Sequence, residues 1–152
     1  MKLESLPPPY YPPMLPIELS RIIISDTCIN NNPQVIMLRE VGGAREFSIV
    51  IGEFEAKSID RYVKQIATPR PMTHDLFCSA VELLGGRIQD ICIYGMEEQT
   101  YFAAIRVVRG EELIEIDSRP SDAIAVAVSF QPPLPILIDE TVFERSLTQE
   151  SV

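Results

Sequence analysis

The chain has 152 residues, the size of one domain with room for its own core. Apolar residues make up 46% and charged residues 23%, which excludes a disordered chain, and no apolar run nears the ~18 residues of a membrane helix. A net charge of -9 weighs against a general nucleic-acid binder, because phosphate contacts normally come from Lys and Arg.

Residues 1–16 carry Pro7-Pro8-Pro9 and Pro12-Pro13, which cannot donate ladder hydrogen bonds and favour extended backbone. They read as an accessory arm, and without an apolar core segment they do not read as a signal peptide. The domain proper is expected over 17–147, with 148–152 as a frayed tail. Residues 17–25, centred on Ile22-Ile23-Ile24, predict a first strand, and Asn30-Asn31-Asn32-Pro33 a turn. Val35-Ile36-Met37-Leu38 is apolar on both faces, the pattern of an interior strand. Val41-Gly42-Gly43-Ala44 makes a tight connection to a third strand, where Phe47, Ile49 and Ile51 alternate with Ser48 and Val50. Strands joined by such short turns form an antiparallel meander.

From Glu53 the apolar period becomes helical, with Ile59, Tyr62, Val63 and Ile66 on one face. Pro69 and Pro71 stop this helix. Thr73 predicts the N-cap of a second helix, with Asp75 in its first turn and a stripe of Leu76, Phe77, Ala80, Val81 and Leu84. Gly85-Gly86 closes it. Residues 87–94, 100–108 and 112–117 predict three strands, with turns at 95–99 and 109–111. Pro120 opens a third helix, and residues 123–128 are apolar all round, as in a buried helix. Ile136-Leu137-Ile138 predicts a final strand and 139–147 a short last helix. The order β-β-β-α-α-β-β-β-α-β is α+β: a mostly antiparallel or mixed sheet with three main helices.

Two stretches concentrate the chemistry. Arg70-Pro71-Met72-Thr73-His74-Asp75-Leu76 holds the only histidine of the chain, and Arg119-Pro120-Ser121-Asp122-Ala123-Ile124 repeats much of its character. Each precedes a helix, and the two are expected to meet. A histidine at a helix start is favoured in its neutral form, able to take a proton. The helix start attracts anions, and Arg70 and Arg119 would add forks of donors suited to phosphate. Asp75, Asp117 and Asp122 could orient the imidazole or hold a divalent cation. A base, charge stabilisers and a metal are the equipment of phosphodiester cleavage. Against this stands a plainer reading, in which Thr73, Asp75 and Asp122 serve their own helix starts and Arg119 pairs with Asp117 or Asp122. The basic run of Lys57, Arg61, Lys64 and Arg70 could hold an anion or be an ordinary solvated face. Cys28, Cys78 and Cys92 form no Cys-x-x-Cys pair, which suits reduced thiols in the cytoplasm.

Together with Ile51-Gly52-Glu53-Phe54-Glu55-Ala56 and the helix end Leu84-Gly85-Gly86, these stretches resemble the bifunctional nuclease family in type, order and spacing. The second motif runs from Asp117 to Ala125. The resemblance implies a compact α+β domain that often self-associates. It also implies cleavage of RNA and DNA, an activity attached to the plant members. Within the matching stretches, the chemistry of the residues themselves makes His74 the expected general base or acid, with Asp75 and Asp122 beside it. Arg70, Arg119, Thr73 and Ser121 would hold substrate phosphate, and Glu53 and Asp117 could bind Mg²⁺ or Mn²⁺. The alternative is a non-catalytic, self-associating module that binds a protein or a small anionic ligand in the same cleft, with no membrane contact in either case.

Overall fold

The computed structural model describes residues 13–25 and 33–149. The readings made for residues 1–12, for Cys28, for Asn30-Asn31-Asn32 and for 150–152 lie outside these. Seven strands form one sheet: β1 (Met14–Ile23), β2 (Gln34–Glu40), β3 (Glu46–Ile51), β4 (Arg87–Glu97), β5 (Thr100–Arg109), β6 (Glu112–Ser118) and β7 (Ile136–Asp139). Four helices accompany them among the described residues: α1 (Glu53–Val63), α2 (Thr73–Leu83), α3 (Pro120–Val128) and α4 (Glu140–Gln149).

The spatial order is β3-β2-β1-β7-β4-β5-β6. Two antiparallel meanders, β1–β3 and β4–β6, are thus joined by the last strand. β7 pairs antiparallel with β1 and parallel with β4. Register places Phe47, Leu38 and Leu19 in one row and Ile49, Ile36 and Ile22 in the next. Across the second meander Ile116, Ile105, Ile91 and Ile136 line up in the same way. Because side chains alternate along a strand, all of these share one face of the sheet. The helices cover that face, and a single buried cluster runs from Phe47 through α3 to Phe143. Residues 123–128 of α3 are all buried, wedged between α1, α2 and the sheet.

Several boundaries depart from the sequence reading for local reasons. β1 begins at Met14, inside the proline-rich stretch, because Pro16 needs only to accept: its carbonyl takes the Val41 N–H at 3.0 Å. α1 ends at Val63, before Ile66. Gln65 adopts φ 54°, its N–H bonds to the Tyr62 carbonyl and the Ile66 N–H to that of Arg61, a left-handed stop made without glycine. Gly95 is not in a turn but at a register shift of β4. The turn is Glu98-Gln99, both at positive φ, the two-residue form that suits strand twist. On α2, Phe77 and Val81 pack on the core as expected, but Leu76 and Leu84 are exposed.

Phe47 is fully buried, with ring centroids 5.7 Å from Phe143 and 5.9 Å from Tyr101. Phe47→Ala is expected to cost about 3–5 kcal/mol in urea denaturation. A loss below about 1 kcal/mol would mean that this corner of the core collapses to fill the gap.

Candidate active site

Three helix starts converge beside the sheet. The N-caps are Gly52 for α1, Met72 for α2 and Arg119 for α3. Each helix carries an acid three residues after its cap, namely Glu55, Asp75 and Asp122, where a negative charge offsets the exposed N–H groups. Thr73 is therefore the first helical residue rather than the cap itself.

The acids take different partners. His74 Nε2 lies 2.9 Å from Asp122 Oδ1, and Arg119 Nε donates to Asp122 Oδ2 at 2.6 Å. Arg119 Nη2 donates to Glu55 Oε1 at 2.8 Å. One chain, Glu55–Arg119–Asp122–His74, thus ties the first turns of α1, α3 and α2. Asp75 points the other way, toward α1. It accepts from the Tyr62 hydroxyl at 2.6 Å, the Met72 N–H at 2.8 Å and Arg61 Nη2 at 3.1 Å. It braces two helices and leaves His74 alone.

His74, Thr73, Asp117, Ser118, Arg119 and Asp122 rim a cleft of about 540 Å³ floored by Phe77, Ile105, Ile116 and Val126. Asp117 enters from the end of β6 and accepts from the Tyr94 hydroxyl at 3.1 Å. The structure does not bring every candidate here. Ser121 is buried in α3. Arg70 is exposed and makes no ion pair among the described residues. Glu53 bonds Lys57 at 2.6 Å on the solvent face of α1. The basic run is largely self-neutralised, with Lys64 on Asp60 and Arg61 on Asp75, which leaves Arg70. Glu55 is the residue the sequence reading passed over. Its signal was its place three residues after Gly52, matching Asp75 and Asp122 in their helices.

Burial alone would push the Asp122 carboxyl up, but hydrogen bonds from Arg119 and His74 outweigh it and hold the group below the ordinary carboxylate range. The Arg119 guanidinium is raised by its bonds to Asp122 and Glu55. Asp122 is therefore ionised at neutral pH and only accepts, so His74 Nε2 carries the hydrogen. That assignment leaves Nδ1 of a neutral His74 as the free base. Asp122 has both oxygens engaged and Glu53 lies apart, and no three His, Cys, Asp or Glu side chains among the described residues converge as a cation cage. The side chains as placed do not fit a resident Mg²⁺ or Mn²⁺.

This cleft is assembled from the stretches on which the sequence resemblance rests, and residues 36–151 match the family model described as the bifunctional nuclease domain. The chain belongs to that family. It is 33% identical over 115 residues to an uncharacterized protein of Mycobacterium tuberculosis, covering 76% of this chain and 67% of that protein. It is 25% identical over 124 residues to bifunctional nuclease 1 of rice, Oryza sativa subsp. indica, covering 72% of this chain and 38% of the rice protein. Bifunctional nuclease 1 of Arabidopsis thaliana is 23% identical over 124 residues at the same coverage.

Burial raises the Asp75 carboxyl too, and the Tyr62 hydroxyl, the Met72 N–H and Arg61 together bring it below its ordinary range. A carboxyl depressed by folding stabilises the protein above its unfolded pKa, and that contribution is lost as pH falls through the folded one. Asp75→Asn is expected to lower stability by roughly 1–2 kcal/mol at neutral pH. In denaturation series against pH, the gap to the parent should close in the acid range. A gap that stays constant to the lowest pH would mean that the charge of Asp75 contributes nothing.

Proposed function

We propose that the protein hydrolyses phosphodiester bonds of RNA and DNA in the His74–Asp122–Arg119 cleft. The observation that carries this reading is the hydrogen-bonded chain itself. A carboxylate fixes the tautomer of a lone histidine, and an arginine stands beside it on the rim of a cleft. Family membership points the same way, since the rice and Arabidopsis relatives are bifunctional nucleases by name.

In this reading His74 Nδ1 removes a proton from the water that attacks phosphorus, while the P–O bond to the leaving oxygen breaks. Asp122 stabilises the imidazolium that results. Arg119 faces the charge building on the phosphoryl oxygens, and the Thr73 hydroxyl offers a further donor. The leaving oxygen takes its proton from solvent. The apolar floor with Phe77 gives an unpaired base a surface to lie on, which suits single strands better than a duplex. All of these steps are made by side chains, so activity should persist in chelator. Chelator-sensitive cleavage would instead assign a Mg²⁺ or Mn²⁺ that arrives with the substrate.

The free thiols of Cys78 and Cys92 favour a reducing compartment, hence the cytoplasm. Burial raises both, Cys92 to about 11. No helix among the described residues is long and apolar enough to cross a membrane.

Self-association fits the outer side of α2. This helix has no buried residue, and Met72, Leu76, Ala80 and Leu83 form an exposed stripe at helical spacing. A second copy is the partner that fits, because the stripe offers no charge for a charged partner to match and, laid antiparallel on itself, meets like with like.

Cleavage of labelled single-stranded RNA and DNA is expected from the purified protein. It should fall about 10²–10⁴-fold in a His74→Ala variant that keeps its circular dichroism and melting profile. Equal cleavage in that variant would assign the activity to a contaminant and favour a binding module, a reading that the two carboxylates already engaging Arg119 also support. Sedimentation should show a dimer that Leu76→Glu with Leu83→Glu converts to monomer. A monomeric parent would leave the stripe without this role.

A further inference from the structure

The charge balance around Arg119 raises a difficulty for any anionic substrate. One guanidinium faces two carboxylates, Glu55 at 2.8 Å and Asp122 at 2.6 Å. With His74 neutral the chain of four carries a net negative charge. A phosphate approaching the exposed edge of Arg119 meets an arginine whose charge is already spent. The two carboxylates are not equivalent. Asp122 is local, three residues along the same helix, and it also holds His74. Glu55 reaches across from α1 and, of the side chains in this network, bonds only Arg119.

We propose that Glu55 is an internal stand-in for phosphate: it occupies Arg119 in the free protein and is displaced when a phosphate oxyanion binds there. Gly52 is the second feature that supports this. Its φ of -72° is open to any residue, so its backbone does not call for glycine. A Cβ built at position 52 would lie 2.2 Å from Glu55 Oε2. The absence of a side chain at position 52 gives the Glu55 carboxylate room to fold over its own N-cap while it holds Arg119. The same closeness gives the displaced carboxylate a refuge, because an acid three residues after a cap can turn back to the N-cap N–H of its own helix. Exchange therefore trades one favourable partner for another, with a small conformational cost. Glu55 thus selects against weak or monodentate anions and admits those that outbid a carboxylate for a guanidinium, which bidentate phosphate does.

The inference rests on Arg119 as the phosphate-binding group and not on bond cleavage. His74 is the only histidine of the chain, so its ring proton resonances report this site without ambiguity. Inorganic phosphate titrated into the protein should shift them saturably. Glu55→Gln, which keeps the shape and removes the charge, should tighten phosphate binding roughly tenfold. Gly52→Ala leaves every charge in place but makes the Glu55 carboxylate shift, loosening its hold on Arg119, and should tighten binding in the same direction by less. Arg119→Met should abolish the saturable shift. If Glu55 were only a tether that positions Arg119, both variants would bind phosphate more weakly, and that sign would overturn the proposal. Unchanged affinity in Glu55→Gln, or no saturable shift in either protein, would overturn it as well. Saturable binding with the expected order but no cleavage would remove the nuclease reading and leave the role of Glu55 standing.

Discussion

The arrangement turns on one guanidinium. Arg119 follows β6, caps α3 and bonds carboxylates from two helices, so it is the point at which sheet and helices are referenced to each other. Helix α3 is buried over residues 123–128 and cannot move without disturbing the core. Its first turn is therefore a fixed platform. Asp122 on that platform sets the place of His74, and through His74 the start of α2. Glu55 brings in the start of α1. Three helix ends, each with unpaired N–H groups that favour negative charge, are held together by the carboxylates that those ends attract. The polar chain sits at the surface, with Arg119 its exposed member and the other three partly buried, and its worth lies in geometry as much as in stability.

The floor and the rim of the cleft have separate origins. Ile105, Ile116 and Val126 belong to the packing that would exist with or without a site. Phe77 is one of the α2 residues packed against the same core. The rim comes from helix starts and from the end of β6, where main-chain direction changes and side chains are released from the sheet's alternation. A domain can alter such a rim without touching its core. The net charge of -9 matters here, because a rim that holds Asp117, Asp122 and Arg119 contributes little to long-range attraction of nucleic acid. Recognition at this cleft has to be made by contact.

The fold class and the order of elements were legible because alternation and helical periodicity are strong here, as in Phe47–Ile49–Ile51 and in residues 123–128. The meeting of His74 with Asp122 was legible as well, since two similar helix starts flank the segment that folds back on the sheet. Other features depended on information the sequence does not display. The central place of β7 follows from pairing between distant strands, and Ile136-Leu137-Ile138 looks the same at an edge or in the middle. The turn at Glu98-Gln99 contains no glycine although both residues have positive φ, so Gly95 drew the reading to the wrong place. Among the acids, spacing marks Glu55, Asp75 and Asp122 alike as helix-start residues. Which of them turn outward to a neighbour depends on the angle between helices. Glu53 was preferred to Glu55 for want of that angle.

The position of β7 also fixes an order of events during synthesis. The β1–β3 and β4–β6 meanders can each pair internally as they emerge, but among the described strands they are connected within the sheet only through β7, which follows both of them in the sequence. Until residues 136–139 leave the ribosome, the edges of β1 and β4 that will flank it stand open. The site draws on α1, through Glu55, and α2 from between the meanders and on α3 from just before β7. It therefore reaches its final geometry only once β7 has been made. A truncated product would carry every residue of the site and still lack the strand that sets the two halves of the sheet side by side.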